Sequence, residues 1–236
     1  MSDDILSGLI LPISQTRQNS YGNSDDGLET KLLNYFWNIE LSQAFYPLLQ
    51  TFEVALRNSI HQTLSSHFGG NEWWFDLPDL LGVDQMAKVN AARDNLERKQ
   101  KPLTSDRLVA ELTFGFWTSL LNRPYESTLW HTGRPILLVS AFPNLPRYRQ
   151  TRKSDYGRAQ LANTMRNRIF HYEPIWNRQN LRKDHDNVAE GLGWMSTKMQ
   201  LASAFFDTFN EIHERGARYN RELLLDHLQG RPKRYV

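Results

Sequence analysis

Cysteine is absent from the 236-residue chain, which excludes disulfide bonds, thiolate metal sites and cysteine nucleophiles. Long hydrophobic runs are absent as well: the longest, at positions 136–139, is far short of the roughly 20 apolar residues that span a bilayer. The chain opens with Asp3 and Asp4 where a secretory signal would carry basic residues. We therefore expect a soluble, cytoplasmic protein that does not associate with membranes.

Patterns typical of metal and nucleotide sites are also scarce. No two histidines are four residues apart and no His-Glu-x-x-His pattern occurs, so a zinc hydrolase is disfavoured. The Gly-x-Gly at Gly191-Leu192-Gly193 lacks the preceding strand that a nucleotide-binding fold requires. We expect neither a metal nor an organic cofactor.

Hydrophobic residues, 40% of the chain, are spaced as in helices, for example in the stripe Phe52, Leu56, Ile60 and Leu64. We predict an all-α protein with a mobile lead-in over residues 1–27, one helical domain over 28–229 and a basic tail over 230–236. Only the short run at 136–139 resembles a strand. The predicted helices cover residues 28–45 (ending near Pro47), 48–67, 84–99, 107–121, 155–172, 187–215 and 218–229.

Positive charge is concentrated in residues 145–182, although the net charge of the chain is only +2. This segment has nine Lys or Arg and two acids, so it carries an excess of seven positive charges and the remainder an excess of five negative ones. Such a distribution is typical of proteins that bind polyanions. The alternative is a solvated loop in which charges cluster without function. The candidate RNA contacts are Arg147, Arg149, Arg152, Lys153 and Arg158.

Arg166, Asn167 and His171 lie inside this basic segment, at the predicted end of a helix. Arginine holds phosphate through a planar fork of donors, and histidine has the side chain whose unperturbed pKa is nearest neutrality. Together they are the minimum set for cutting RNA without a metal. Asn167 and His171 share one helix surface, whereas Arg166 and His171 are roughly 140° apart in an unbroken helix.

Pro174 indicates where this helix stops, because the residue before a proline is pushed out of helical geometry. We expect the helix to end near His171 and to free the imidazole to turn. Leu161, Met165, Ile169 and Tyr172 form a stripe that is predicted to face inward. The alternative interpretation of the motif is a helix-end histidine with a capping role and an arginine in a surface ion pair.

Four segments, taken in order, extend this pattern over most of the chain. They are Tyr35-Phe36-Trp37-Asn38 with Leu41-Ser42-x-Ala44, Glu53-Val54-Ala55-Leu56-Arg57-Asn58, Glu111-Leu112-Thr113-Phe114-Gly115-Phe116-Trp117, and Arg166-Asn167-Arg168-Ile169-Phe170-His171-Tyr172-Glu173-Pro174-Ile175. Together they resemble the Abi-like family of abortive-infection proteins in the HEPN superfamily of ribonucleases. Relatives often carry a second histidine beside His171, which is the sole imidazole candidate here.

The resemblance implies an all-α, HEPN-like helical bundle with additional helices, paired into a homodimer in which two Arg/His motifs face each other. It implies that His171 transfers protons, Arg166 neutralises charge on the phosphorane, and Asn167 orients His171 or the phosphate. Candidates for supporting the site or reaching substrate are Glu53, Arg57, Asn58, Arg168, Tyr172 and Glu173. The alternative for Glu53 and Arg57 is an ordinary helical ion pair. His61 lies outside the matched segment and is expected to be an ordinary helix residue.

These observations favour a metal-independent endoribonuclease of the abortive-infection or toxin type, acting on RNA in phage defence. Its products would be 2′,3′-cyclic phosphate and 5′-hydroxyl ends. An antitoxin protein or a small RNA is a further candidate partner. The competing hypothesis is a non-catalytic RNA-binding or protein-interaction module with the same fold.

Overall fold

The computed structural model describes residues 1–70, 72–130, 136–149 and 152–231, apart from the side chains of Arg152 and Ser154. These residues form twelve α-helices and three 3-10 helices, with no strand among them, which confirms the all-α class. The α-helices are α1 (Asp3–Ile10), α2 (Gln15–Asn19), α3 (Leu28–His67), α4 (Val83–Arg98), α5 (Ser105–Glu111), α6 (Phe114–Ser119), α7 (Ile136–Ala141), α8 (Arg152–Phe170), α9 (Leu181–Met195), α10 (Thr197–Ala204), α11 (Phe209–Arg215) and α12 (Arg221–Leu228). Within the described ranges, none of the helices has both the length and the hydrophobicity needed to cross a bilayer.

The chain groups into two compact units, each assembled from segments that are distant in sequence. Unit 1 comprises Met1–Pro47, Met165–His185 and Phe206–Val236, and unit 2 comprises Leu48–Thr164 and Asp186–Phe205. Helices α3, α8 and α9 each contribute residues to both units. The single domain expected over residues 28–229 stays a prediction.

Aromatic contacts form the centre of unit 1. The ring of Phe45 from α3 meets Phe209 from α11 edge-on, with centroids 5.2 Å apart, and both side chains are fully buried. His185 from α9 stacks on Phe209 at 4.3 Å, and its Nε2 lies 3.1 Å from the carboxylate of Asp207. Unit 1 therefore places a buried imidazole among rings and provides it with a carboxylate partner.

Unit 2 is built on the predicted stripe Phe52, Leu56, Ile60 and Leu64, all of which are buried. Helix α9 approaches α8 and α3 very closely at Gly191. A Cβ placed there would lie 2.9 Å from both the Arg158 Cβ on α8 and the Phe52 ring on α3. Any larger residue at this position would force these helices apart.

Pro47 does not end a helix, contrary to the sequence-based prediction, since α3 continues through it from Leu28 to His67. A proline inside a helix costs roughly 3 kcal/mol, because it removes one hydrogen bond and crowds the preceding turn. The neighbouring Ala44, Phe45, Leu48 and Leu49 are all buried. Burial of each larger side chain contributes roughly 1.5–3 kcal/mol, which outweighs the local cost.

Polar caps divide two other predicted helices. The segment 107–121 contains α5 and α6, because Leu112 is extended and the Thr113 hydroxyl accepts from the Phe116 N–H. The segment 187–215 contains the C-terminal part of α9 and all of α10 and α11. Ser196 caps α10, because its hydroxyl accepts a hydrogen bond from the Met199 N–H. The strand-like run at 136–139 is helical, as part of α7.

Residues 1–27, the expected mobile lead-in, are partly helical, and their mobility stays a prediction. They include α1 and α2, and the Tyr21 ring is buried against Tyr35 with centroids 5.1 Å apart. Of the expected basic tail, residues 232–236 lie outside the described ranges.

Asp155, in the first turn of α8, is a buried acid with 1% of its surface exposed. Neither of its carboxylate oxygens has a hydrogen-bond partner in the described part of the chain. Burial raises its pKa to about 8, and the nearby Arg158 only partly opposes this shift. The folded protein thus holds a proton on Asp155 that the unfolded chain loses near its ordinary pKa.

Asp155→Asn should remove a pH dependence of stability. Because the pKa of Asp155 is raised in the folded state, the protonated carboxyl contributes its full stability at acidic pH. This contribution is lost as pH rises toward 8, and the free energy of unfolding falls by up to about 1.4 kcal/mol per pH unit. The free energy of unfolding, measured in urea between pH 5.5 and 8.5, should fall less steeply in this variant than in wild type. The exposed Asp94→Asn is the control. Equal slopes for wild type and Asp155→Asn would contradict a protonated Asp155.

Candidate functional site

The C-terminal end of α8 carries the Arg/His motif and has a well-defined cap. The Glu173 N–H donates to the Arg168 carbonyl at 2.7 Å, and the Tyr172 N–H donates to the Ile169 carbonyl at 3.0 Å. Tyr172 adopts a left-handed conformation with φ 57°. This pair of bonds is a Schellman cap, in which His171 is the last partly helical residue. The predicted end near His171 is confirmed.

The inward stripe on this helix is only partly as predicted. Met165 is fully buried, but Tyr172 is 74% exposed, so its assignment to the inward face is wrong. The cause is the cap: Tyr172 is itself the left-handed residue, so its side chain leaves the helical face. Arg17 from α2 donates to the Tyr172 carbonyl.

The segment after the cap is held by a buried amide. The Asn38 Oδ1, on α3, accepts from the N–H groups of Ile175 at 2.7 Å and Trp176 at 3.1 Å. Arg168 donates to the Pro174 carbonyl at 2.7 Å. The Trp176 indole donates to the Ser20 carbonyl, so this ring is part of the packing of unit 1. Arg168 therefore positions the loop that follows the motif.

The motif side chains lie on the last turn of α8 and at its cap. The Arg166 guanidinium lies 4.6 Å from the centre of the Phe170 ring, and its Nη1 donates to the Asn167 Oδ1 at 3.3 Å. The backbone N–H of His171 donates to the Asn167 carbonyl at 2.9 Å. The His171 imidazole is exposed and makes no hydrogen bond, ion pair or ring contact with any residue described. It is thus accessible to a ligand from solution.

An aromatic pair adjoins the motif, which the sequence does not predict. The rings of Tyr46 and Phe170 stack with centroids 5.8 Å apart and planes inclined by 29°, and each residue is 44% exposed. The Phe170 ring also contacts the Arg166 guanidinium. Tyr46 and Phe170 are brought together only by the fold, so no local sequence signal identifies them.

The predicted RNA contacts fall into different environments. In unit 2, the Glu190 carboxylate accepts hydrogen bonds from two arginines. Arg149 donates from Nη1 at 2.6 Å, and Arg158 donates from Nε at 3.2 Å. Both guanidinium groups also lie over the Trp194 ring. Arg147 and Lys153 are exposed, and the Arg152 side chain lies outside the described part.

In unit 1, two further arginines of the basic segment pair with acids beyond it. The nitrogen–oxygen distances are 2.7 Å for Arg178 with Asp184 and 2.9 Å for Arg182 with Glu214. With Glu190 in unit 2, three acids from outside residues 145–182 therefore offset much of the positive charge that the sequence concentrates there.

Glu53, Arg57 and Asn58 lie on the part of α3 that belongs to unit 2. The ion pair between Glu53 and Arg57, which was the alternative to a supporting role, is not formed, since Arg57 has no ion-pair partner among the described residues. Arg57 and Asn58 instead line a cleft, together with His61.

His61 has a more specific environment than the sequence indicates. The Trp74 indole donates to its Nδ1 at 3.1 Å, its Nε2 is 3.5 Å from the Ser105 hydroxyl, and Ser105 donates to the Glu72 carbonyl at 3.0 Å. An indole N–H can only donate, so Nδ1 carries the lone pair and Nε2 carries the hydrogen. Burial lowers the pKa of His61, against the effect of Asp106 and Glu72. The ring is therefore a fixed neutral donor and cannot serve Ser105 as a base.

No family model, curated protein or solved structure matches the chain. Within the described ranges, no three acidic or histidine side chains are grouped so as to hold a metal ion.

Tyr172→Gly should be more stable than Tyr172→Ala by about 1 kcal/mol. Both variants remove the exposed ring, but only glycine adopts the left-handed cap conformation without steric cost. The difference in the free energy of unfolding, measured in urea, isolates this strain. Equal stability of the two variants would mean that residue 172 is not left-handed in solution.

Proposed function

We propose that the chain is an endoribonuclease of the abortive-infection type, with Arg166, Asn167 and His171 as its catalytic residues. The observation that carries the proposal is the exposed His171 imidazole at the capped end of α8, in the helical turn after the Arg166–Asn167 pair. An accessible imidazole can transfer protons and a guanidinium can neutralise charge, which are the two functions that cleavage at a phosphate requires.

The reaction follows from these two groups. One imidazole takes the proton of the ribose 2′-hydroxyl as its oxygen attacks the adjacent phosphorus. The bond from phosphorus to the 5′-oxygen breaks, and that oxygen receives a proton. Arg166 neutralises the phosphorane, Asn167 keeps the guanidinium aligned, and no step needs a metal. The products are a 2′,3′-cyclic phosphate and a 5′-hydroxyl.

A homodimer would supply the second proton-transfer group. The transesterification needs both a base and an acid, and the motif offers His171 alone. A second copy of the chain facing the first would bring another His171 to the opposite side of the phosphate. In a bacterial cytoplasm such an enzyme would stop growth of a phage-infected cell, and an antitoxin protein or small RNA would restrain it before infection.

The Tyr46–Phe170 pair supports RNA as the substrate. Unpaired bases stack on exposed aromatic rings and on guanidinium planes, and single strands are the form in which bases are free to do so. The two half-exposed rings and Arg166 offer such a surface next to His171.

A non-catalytic RNA-binding module is the second candidate. Catalytic histidines are usually oriented by a third group, whereas no side chain in the described part of the chain orients His171. This favours a role for the motif in holding phosphate without turnover.

His171→Ala should abolish cleavage of single-stranded RNA while keeping RNA affinity. Proton transfer by a positioned group contributes roughly 10²–10⁴-fold, so the rate should fall by at least that factor. The assay is cleavage of a labelled oligoribonucleotide in EDTA, with end groups identified as cyclic phosphate or not.

His227→Ala is the matched control, because it removes another exposed histidine of unit 1. A substrate with a 2′-deoxy sugar at the cut site should resist the wild type. Cleavage of equal rate by wild type and His171→Ala would exclude the catalytic role, and unchanged binding without any cleavage would favour the second candidate.

Tyr46→Ala should weaken binding of single-stranded RNA by roughly 5–100-fold, as expected for the loss of one stacked base. Tyr46→Phe keeps the ring and should bind like wild type. Tyr219→Ala is the control, since Tyr219 is also a half-exposed ring of unit 1 with a guanidinium 4.6 Å away. Fluorescence anisotropy with a non-cleavable 2′-deoxy substrate measures the affinity. Equal losses in Tyr46→Ala and Tyr219→Ala would contradict a specific stacking surface.

A further inference from the structure

A polar cleft of about 530 Å³ in unit 2 has no role in the function proposed above. Its volume lies in the range of small-molecule sites. The residues that matter here are Arg57, Asn58, His61 and Ser65 from α3, Asp106 from α5, and Glu72, which precedes Trp73. We call it the Arg57 cleft.

Arg57 is the most unusual group in this cleft. Its Nε is buried without a hydrogen bond, and its guanidinium forms no ion pair with any described residue. A buried polar atom without a partner costs free energy and requires an explanation, of which a bound ligand is one. Asn58, beside it, is exposed and makes no side-chain hydrogen bond in the described part of the chain, so its amide is open to a ligand.

The lining also carries negative charge, on Glu72 and Asp106. Glu72 and Asp106 both act electrostatically on His61, which places their carboxylates near that ring. Neither forms an ion pair with Arg57. The cleft thus holds one cation that is not paired with either of its two carboxylates.

We propose that the Arg57 cleft binds a guanosine monophosphate unit, with its phosphate on Arg57 and Asn58 and its base on Glu72 and Asp106. The guanidinium fork matches phosphate oxygens. The excess of carboxylates disfavours a bare anion, so the ligand must also carry donors. Guanine has two adjacent donors, its ring N1–H and its 2-amino group, which match the two oxygens of one carboxylate. Adenine offers only one donor on that edge.

Two sources share this chemistry, a free nucleotide and a guanosine of an RNA chain. Isothermal titration of the full chain with GMP, AMP and inorganic phosphate tests the site, and a guanosine-containing tetraribonucleotide distinguishes the sources. The His171→Ala background prevents cleavage of the RNA. The site does not depend on catalysis by the motif, so either proposal can fail alone.

GMP should bind at least tenfold more tightly than AMP, and phosphate alone should not bind measurably. Arg57→Gln and Glu72→Gln should each weaken GMP binding at least tenfold, while Arg107→Gln, an exposed arginine on α5 outside the lining, should not. Melting temperatures confirm that each variant is folded. Tighter binding of the tetranucleotide identifies RNA, and tighter binding of GMP identifies a free nucleotide. No GMP binding, equal affinity for AMP, or an unaffected Arg57→Gln variant would overturn the proposal.

Discussion

The buried amide of Asn38 is the interaction on which the candidate site depends. Its oxygen accepts hydrogen bonds from the two N–H groups that follow Pro174. Losing it would leave both without this partner, and the buried N–H of Ile175 alone would cost roughly 1–3 kcal/mol. Two carbonyls that precede these N–H groups are held as well, that of Tyr172 by Arg17 and that of Pro174 by Arg168. The chain leaving α8 is therefore fixed, and His171 is presented on a rigid support.

The sequence predicts those features that depend on local chemistry. The all-α class, the core stripe from Phe52 to Leu64 and the end of α8 near His171 follow from periodicity and from Pro174. The predicted helix bounds are wrong at two kinds of position: where a polar side chain caps a new helix, and where a proline is tolerated because its neighbours are buried. Thr113 and Ser196 cap new helices inside runs that look continuous, while Pro47 is overridden by its buried neighbours.

Contacts between residues that are distant in the sequence cannot be predicted from local patterns. The positive excess of residues 145–182 is visible in the sequence, but its partners Glu190 and Glu214 come from later helices. The stacking of Tyr46 on Phe170 and the tautomer of His61 likewise require contacts that only the folded chain makes. Local motifs thus identify candidate chemistry, and the fold decides which charges remain available for a ligand.

The protonated Asp155 changes the charge of the molecule as a whole. The formal net charge of +2 counts this residue as an anion, but with a pKa of about 8 its carboxyl is mostly neutral at pH 7. The folded protein therefore migrates in an electric field with a charge nearer +3. Unfolding releases that proton, so the calorimetric enthalpy of unfolding includes the ionisation heat of the buffer that accepts it.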